Sequence, residues 1–497
     1  MKSLTLILVL LTSLSISAQI SVQWSMSIGG SAIETSANIL TTDENKILIL
    51  GSSGSSDFNL SNNIGLTDIV LIQADEFGEI EWIKNYGGSD SDRADDFIES
   101  NDGGYLIVGG TRSIDNQVST NIGSSDVWIF KINNQGEMEW DLTVGDTLWD
   151  DSRKVIQGSD GDFLIFSRSQ KEKTADDFLL TKVDQQGNLI WNQEYGGSKD
   201  EKPITILESN DGYFLIGSSE SSDLMVTSNN GEFDYLIIKI DKDGNKLWDK
   251  NYGGIGSEVA TSSIFTEDGN IIVIGRAYNI DPSDNNGDYW IVKIDSDGNV
   301  IWEKNYGGSE IDNPTQVREL SNNDLLITGF SSSSDGDLKS NNGNNDFWFL
   351  QLSADGIIKN SLSFGGSNSD RLTQIVTTED KILLAGHSSS NDLDIASNNG
   401  NTDIWFGELG ITTSIFELQQ NIEPVLYPNP SNHNINVELS NDEILINIEI
   451  YNIHGQILKK GYSNNLSVSE FPSGNYIIKV QTNKGNYQSK IVVKNGM

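Results

Sequence analysis

Aspartate and glutamate together make up 72 of the 497 residues, and two of their spacings repeat along the chain. Four positions after the second residue of each Gly-Gly step, or of its Gly145-Asp146 equivalent, stands an acid: Glu34, Asp92, Asp150, Glu201, Glu258, Asp312 and Asp370. Seven carboxylates carried round a common axis could hold cations or a basic partner. Each could equally accept backbone N–H bonds from its own step and fix a crossover. The second spacing places pairs of aspartates eleven positions apart, at Asp57 and Asp68, Asp115 and Asp126, Asp223 and Asp234, Asp335 and Asp346, and Asp392 and Asp403. Such oxygen-rich loops suit calcium, although the EF-hand order and its closing Glu are absent. Solvated Asx turns would use the same residues.

Little else has the spacing of a reactive group. His387, His433 and His454 are scattered, with no metal-ligand spacing or nucleophile triad. The phosphate-cradling G-x-x-x-x-G-K-[ST] pattern is missing, and the glycine pairs precede strands, so they read as turns. No catalytic residue and no cofactor other than calcium is expected. The third unit departs most from the others, with Trp149 beside Asp150 and Asp151 and a shortened loop at residues 168–173. A symmetric ring gains a unique pocket only by breaking its own repetition, though drift breaks it too.

These acids sit in a sentence that the chain writes again and again. Each unit has four extended pieces, seen most clearly as ADDFIES, GYLIVGG, DVWIFKI and EMEWDLT, with Asn or Asp and Gly at the turns between most of them. Alternation with such turns favours hairpins over helices. The third piece occurs seven times, beginning at Asp68, Asp126, Asp177, Asp234, Asp288, Asp346 and Asp403. Trp24, Trp82, Trp140, Trp191, Trp248 and Trp302 mark the fourth at intervals of 58, 58, 51, 57 and 54 residues. Four strands per period of about 50 residues predict propeller blades. The seventh unit lacks a fourth strand, and the chain opens with an orphan one around Trp24, which would close the ring. The tryptophans, at a fixed offset from a D-x-x-G-N turn, are expected to pack between neighbouring blades.

The chain is therefore read as all-β: a seven-bladed β-propeller over residues 19–410, with four strands per blade and the N-terminal strand closing the last. A linker at 411–424 and a small Ig-like β-sandwich at 425–497 follow. Residues 1–18, MKSLTLILVLLTSLSISA, have the form of a secretory signal cut after Ala18. With no cysteine, no disulfide supports the fold, so packing must. Net charge is −40; six Lys against five acids from Tyr427 onward, with Lys2 in the leader, leave −42 on the stretch between. Such a surface repels nucleic acid and anionic lipid and attracts cations or basic partners, and it also serves solubility.

The repeated W-x-K-x-Y-G-G-S wording resembles that of secreted repeat proteins of the Bacteroidetes, over about four-fifths of the chain. The D-x-x-G-N-x-x-W phrase also resembles, in part, the tryptophan-docking motif of quinoprotein propellers, whose sites involve a cysteine pair that this chain lacks. The tail resembles the type A sorting domain of the type IX (Por) secretion system. It matches at Tyr427-Pro428-Asn429-Pro430, at Ile450-Tyr451-Asn452 with Gly455 and Gln456, at Pro472-x-Gly474-x-Tyr476, and from Lys490 to Lys494. That resemblance implies export through the periplasm to the cell surface or beyond, with the secretion machinery as partner. The expected function is a surface binding or scaffold module for a protein, glycan or cation. A glycoside hydrolase is the competing class, needing two carboxylates across one cleft. A third reading makes the ring structural, with calcium stiffening its rim.

Overall fold

The computed structural model describes residues 18–42, 44–171, 175–278, 286–338, 340–378, 381–395 and 398–413. In the C-terminal part it describes 425–427, 431, 433–439, 444–452, 456–482 and 486–494. Residues 1–17 of the signal expected at 1–18, and the motif residues Pro428, Asn429, Pro430 and Gly455, lie outside the described residues. The chain divides into two compact units, Ala18–Thr412 and one containing the residues from Thr413 onward.

The first unit is seven four-stranded antiparallel sheets in chain order, a β-propeller. The innermost strands are Glu34–Thr41, Asp92–Glu99, Asp150–Gln157, Glu201–Ser209, Glu258–Phe265, Asp312–Glu319 and Asp370–Thr377, which define blades one to seven. In the seventh blade the sheet runs from Asp370–Thr377 through Ile382–Ser388 and Asp403–Thr413 to Ala18–Ile28, so the orphan strand closes the ring. Residues 411–413, expected in the linker, continue the third strand of that blade.

Second and third strands such as Tyr105–Thr111 and Asp126–Ile132 are buried at every residue. Covered on both sides by neighbouring blades, they carry near-continuous β-branched and aromatic runs rather than strict alternation. The apolar cores lie between blades, one cluster at each of the seven junctions among the described residues. Trp82, Trp140, Trp191, Trp248, Trp302 and Trp24 each pack against one of six of these clusters. They lie over the turn of the following blade: a Cβ on Gly187 would stand 2.7 Å from the Trp140 ring, and one on Gly78 2.6 Å from Trp24. Four residues on, the tyrosine of the repeat reaches the same turn, with Tyr86 donating to Gly136 O at 2.8 Å and Tyr195 to Gly244 O at 2.6 Å. Tyr252 and Tyr306 do the same at Gly298 and Gly356, at 2.7 Å each. In the four blades that carry it, the W-x-x-x-Y spacing thus ties the blade to the next by one ring contact and one hydrogen bond.

The second unit is a sandwich of a three-stranded and a four-stranded sheet around Ile435, Ile448, Leu466, Ile478 and Ile491. Its P-x-G-x-Y motif has a local meaning. Tyr476 stacks on Phe471 at 5.3 Å and donates its hydroxyl to Pro472 O at 2.8 Å, while Gly474 begins the strand between them. Tyr427 and Lys490 fall in the strands Val425–Tyr427 and Asn486–Val493.

Candidate functional site

The glycine steps and the long polar loops share one face of the ring, here the upper face; the two short turns of each blade lie on the lower. On the upper face the seven acids of the first spacing head the innermost strands, all 4% exposed or less. Each accepts the N–H of the second residue of its step: Gly30 to Glu34, Gly197 to Glu201, Gly254 to Glu258 and Gly308 to Asp312 at 2.8 Å, Gly88 to Asp92 and Gly366 to Asp370 at 2.7 Å, and Asp146 to Asp150 at 2.9 Å. Hydroxyls from the second strand add bonds, such as Ser53 to Glu34 at 2.9 Å and Ser219 to Glu201 at 2.6 Å.

The eleven-residue loops use their aspartates in two ways. The first accepts an N–H just beyond the glycine step that enters its own blade: Asp57 from Ser31, Asp115 from Ser89, Asp335 from Ser309 and Asp392 from Ser367 at 2.8 Å, and Asp223 from Ser198 at 2.9 Å. The second, at the head of the third strand, is buried and accepts an N–H from within the loop. Ile122 gives this bond to Asp126 at 2.6 Å, Asn230 to Asp234 at 2.7 Å, Asn342 to Asp346 at 2.6 Å and Asn399 to Asp403 at 2.7 Å, and Ile64 serves Asp68 likewise. Among the described residues no three His, Cys, Asp or Glu side chains gather as a metal-ligand group.

Across each junction the two kinds of acid meet over the first glycine of the step. A Cβ on Gly196 would stand 2.1 Å from Asp177 Oδ1 and 2.4 Å from Glu201 Oε2; on Gly253, 2.2 Å from Asp234 Oδ1 and 2.5 Å from Glu258 Oε2. Only glycine fits there. Burial raises the pKa of Asp68, Asp150 and Asp346 to about 6 and of Glu201 and Glu258 to about 7, and the facing acid adds a smaller push.

The axial channel is lined by other residues. Every innermost strand carries a bulge at its fourth position, where the pairing register skips one residue. The skipped residues are Ala37, Asp95, Arg153, Ile204, Thr261, Thr315 and Thr373. A bulge re-aims its side chain, and five of these seven line a channel pocket of about 420 Å³, together with Arg168 and Lys202. The acids at the first position, expected near the axis, sit under the steps because the strand turns them toward the junction.

Ion pairs beside the channel gather in one sector. Asp151, 3% exposed, accepts Trp149 Nε1 at 2.8 Å, Arg93 Nη2 at 3.1 Å and Arg168 Nη2 at 2.7 Å, with Arg153 at 3.8 Å. Burial alone would raise its pKa, but these cations and the indole hold it below the usual aspartate range. Asp95 accepts Arg93 Nε at 3.0 Å and Ser152 at 2.6 Å. Beside this network a second pocket of about 400 Å³ opens on the upper face between blades one to three, walled by Ile33, Thr35, Arg93, Arg112, Ser125 and Trp149. Arg112 lies over the Trp149 ring at 4.3 Å and forms no ion pair among the described residues. Lys202, a wall of the channel pocket with its ammonium over the Phe233 ring at 3.6 Å, forms none among them either; desolvation lowers its pKa.

The chain has seven arginines, and six of them (Arg93, Arg112, Arg153, Arg168, Arg276 and Arg371) stand on the upper half of the first and second strands or just beyond. Lysines are spent differently: Lys131, Lys182, Lys239 and Lys293 are buried on third strands and pair with aspartates of the lower turns at 2.9, 2.6, 2.7 and 2.7 Å. The spacing of Trp149 and Asp151 marked the third unit in the sequence. The arginine positions carried a second signal, visible once the units are aligned on their strands.

The fold and its tail define an exported β-propeller. Residues 425–494 match the secretion system C-terminal sorting domain family, so the protein goes to the cell surface or the extracellular space. Among solved structures, the propeller is similar to a protein of unknown function from Dyadobacter fermentans DSM 18053 (10% identity, 79% of this chain and 99% of that one, TM-score 0.42). It is also similar to the Neurospora crassa Pan2 WD40 domain (10%, 79% and 97%, 0.43) and to a PL25 ulvan lyase (10%, 76% and 95%, 0.47). No curated protein matches the chain. No helix among the described residues is long and apolar enough to cross a membrane.

Proposed function

We propose that the propeller is a non-catalytic binding module whose ligand seats at the upper mouth of the axial channel, in the sector of blades two to four. The observation that carries this reading is the coincidence of three breaks in the repetition at one place: Trp149, the Asp151-centred arginines and the two pockets beside them. Repeat-wide features such as the step acids have local structural work; a unique cluster does not come from the repeat.

The hydrolase reading finds less support. A glycosidase acid must keep a proton near neutral pH and reach the substrate. The carboxyls with pKa raised to about 7, Glu201 and Glu258, are sealed under glycine steps, and Asp151, beside the channel with Asp95, is held ionised by its arginines. The test is to incubate the purified mature chain with a panel of polysaccharides and measure retention and cleavage together. Saturable retention without new reducing ends is expected. Turnover abolished by Asp151→Asn would overturn the reading.

A further inference from the structure

Resting on that reading, we infer that the two pockets are consecutive subsites for one saccharide chain bearing carboxylate or sulfate groups, entering over Arg112 and Trp149 and ending at Lys202 in the channel. Each pocket is at the lower end of the range for small-ligand sites, about 300–1,000 Å³, so each accommodates a short piece of a chain rather than a folded partner. They are joined through a continuous set of contacts. Arg93 walls the upper pocket and bonds Asp151 at 3.1 Å, and Asp151 bonds Arg168, a wall of the channel pocket, at 2.7 Å.

The charged groups of the linings are mostly cations. The channel pocket sets Arg153, Arg168 and Lys202 opposite Thr261, Thr315 and Thr373, whose hydroxyls already donate to second-strand carbonyls at 3.4, 3.2 and 3.1 Å. The upper one sets Arg93 and Arg112 among Ser52, Ser91, Ser125 and Thr67. The acceptors nearby are already engaged: Asp95 and Asp151 by arginines and Ser152, and Asp92, which lines the upper pocket, by Gly88 N–H and the hydroxyls of Thr111 and Ser113. A peptide brings a backbone N–H at nearly every residue and needs acceptors for them. An acidic saccharide brings carboxylate or sulfate oxygens and ring and hydroxyl oxygens that accept, which is what this lining pairs with. Arg112, over the Trp149 ring, and Lys202, over the Phe233 ring at 3.6 Å, have no carboxylate partner among the described residues and stand at opposite ends of the path, as charges that an anionic ligand would neutralise. The rest of the domain, strongly negative, opposes a dense polyanion such as nucleic acid, with its charge every 1.7 Å or so of duplex axis, more than a chain with one charge per sugar ring.

Binding of the full mature chain to four polymers of similar length tests this: polygalacturonate for carboxylate, dextran sulfate for sulfate, dextran as the neutral control and poly-glutamate as the acidic peptide. The expected result is saturable binding to polygalacturonate, dextran sulfate or both, at least tenfold tighter than to dextran or poly-glutamate. Arg112→Gln and Lys202→Gln should each weaken it about tenfold, and the double variant by roughly the product, with unfolding midpoints unchanged; Lys46→Gln, on the lower face, should leave it intact. Monomeric galacturonate should respond to one of the two substitutions, whereas the polymer responds to both. Equal or tighter binding of poly-glutamate or dextran would overturn the saccharide assignment while leaving a binding module. Indifference of the anionic polymers to both substitutions would remove the subsites. Cleavage of any polymer would count against the binding reading itself.

Discussion

Blades two to four and blades five to seven share the same bulge at the same place on the innermost strand, yet the side chains it delivers to the channel differ. On one side stand Asp95, Arg153 and Ile204, backed by Arg93, Asp151 and Lys202; on the other, Thr261, Thr315 and Thr373, backed by Val259, Asn313 and Arg371. On the threonine side Thr315 and Thr373 donate to carbonyls of their own second strands at 3.2 and 3.1 Å, and Thr373 also makes a neutral contact across a junction, with Ser36 at 2.8 Å. The charged side crosses blades, with Arg93 bonding Asp151 and Ser152 bonding Asp95. Backbone geometry is therefore held by the repeat, and identity at the bulge is where the repeat leaves room for a ligand.

The sharpest way to break this contrast is at its second position. Asp151→Ala removes the buried acceptor shared by an indole and two guanidinium groups; Arg93 keeps Asp95 and Arg168 keeps Asp176, and both are part-exposed, so stability should fall by about 1–3 kcal/mol. Val259→Ala, at the same position in blade five and half-buried, should lower it by under about 1 kcal/mol. Urea unfolding of the two variants measures the difference. Equal small losses would mean that the Asp151 network is not an energetic unit.

The junction acids test the opposite expectation, that features shared by all blades behave alike. The folded pKa values of Asp68, Asp92, Asp126, Asp150, Glu201, Asp234, Glu258, Asp346 and Asp403 lie above those of an unfolded chain, about 3.9 for Asp and 4.3 for Glu. Between roughly pH 4 and 7 the native state then holds more protons, so stability falls as pH rises through that window. A proton on Glu201 or Glu258 also supplies a donor for the buried Oδ1 of Asp177 or Asp234, which otherwise lacks one. The unfolding midpoint should be higher at pH 5.5 than at pH 8 by about 3 °C or more, and Glu201→Gln should flatten the slope. A midpoint that rises with pH instead would show that the pairs are not protonated. Smaller still, and blade-independent, are the tyrosine bonds: Tyr86→Phe, Tyr195→Phe and Tyr306→Phe should each cost about 1 kcal/mol in thermal unfolding. A spread much larger than that would mean that the junctions are not equivalent.

The architecture was legible because it is written in period. Seven third strands opening with Asp, the tryptophan marks and the orphan Trp24 strand were enough to count blades and close the ring. The step acids were legible as a recurring group but not in their placement. Their position relative to the axis depends on a bulge three residues downstream that has no side-chain signature, since Ala37, Asp95, Ile204 and Thr261 all occupy it. The tyrosine four residues after Trp82 or Trp191 was visible in the repeat, but its partner is a carbonyl of the next blade, and nothing local encodes that. Arg93, Arg153 and Arg168 gather round Asp151 from three strands of two neighbouring blades, with Arg168 opposite it in one hairpin, a convergence set by strand register and blade packing rather than by spacing in the sequence.

The smallest effect concerns the rim. In the long loops the residue after the first aspartate takes a left-handed backbone: Phe58, Asn116, Leu224 and Leu393 have φ between 51° and 56°, and Gly336 has 65°. Two blades meet this demand with Asn and Gly, which enter that region easily; the other three place a large apolar residue there, 65% exposed at Phe58, 80% at Leu224 and 69% at Leu393. The loop does not need that side chain for packing, since its apolar anchor is the residue two further on, Leu60, Val226 or Ile395, at most 1% exposed. Leu224→Asn therefore relieves backbone strain and buries nothing less, and thermal unfolding should show a gain of about 0.5 kcal/mol. A loss would mean that Leu224 packs against something in the folded chain. A gain would place the strained apolar tips with the channel cluster, as features that the ring carries at some expense to its own stability.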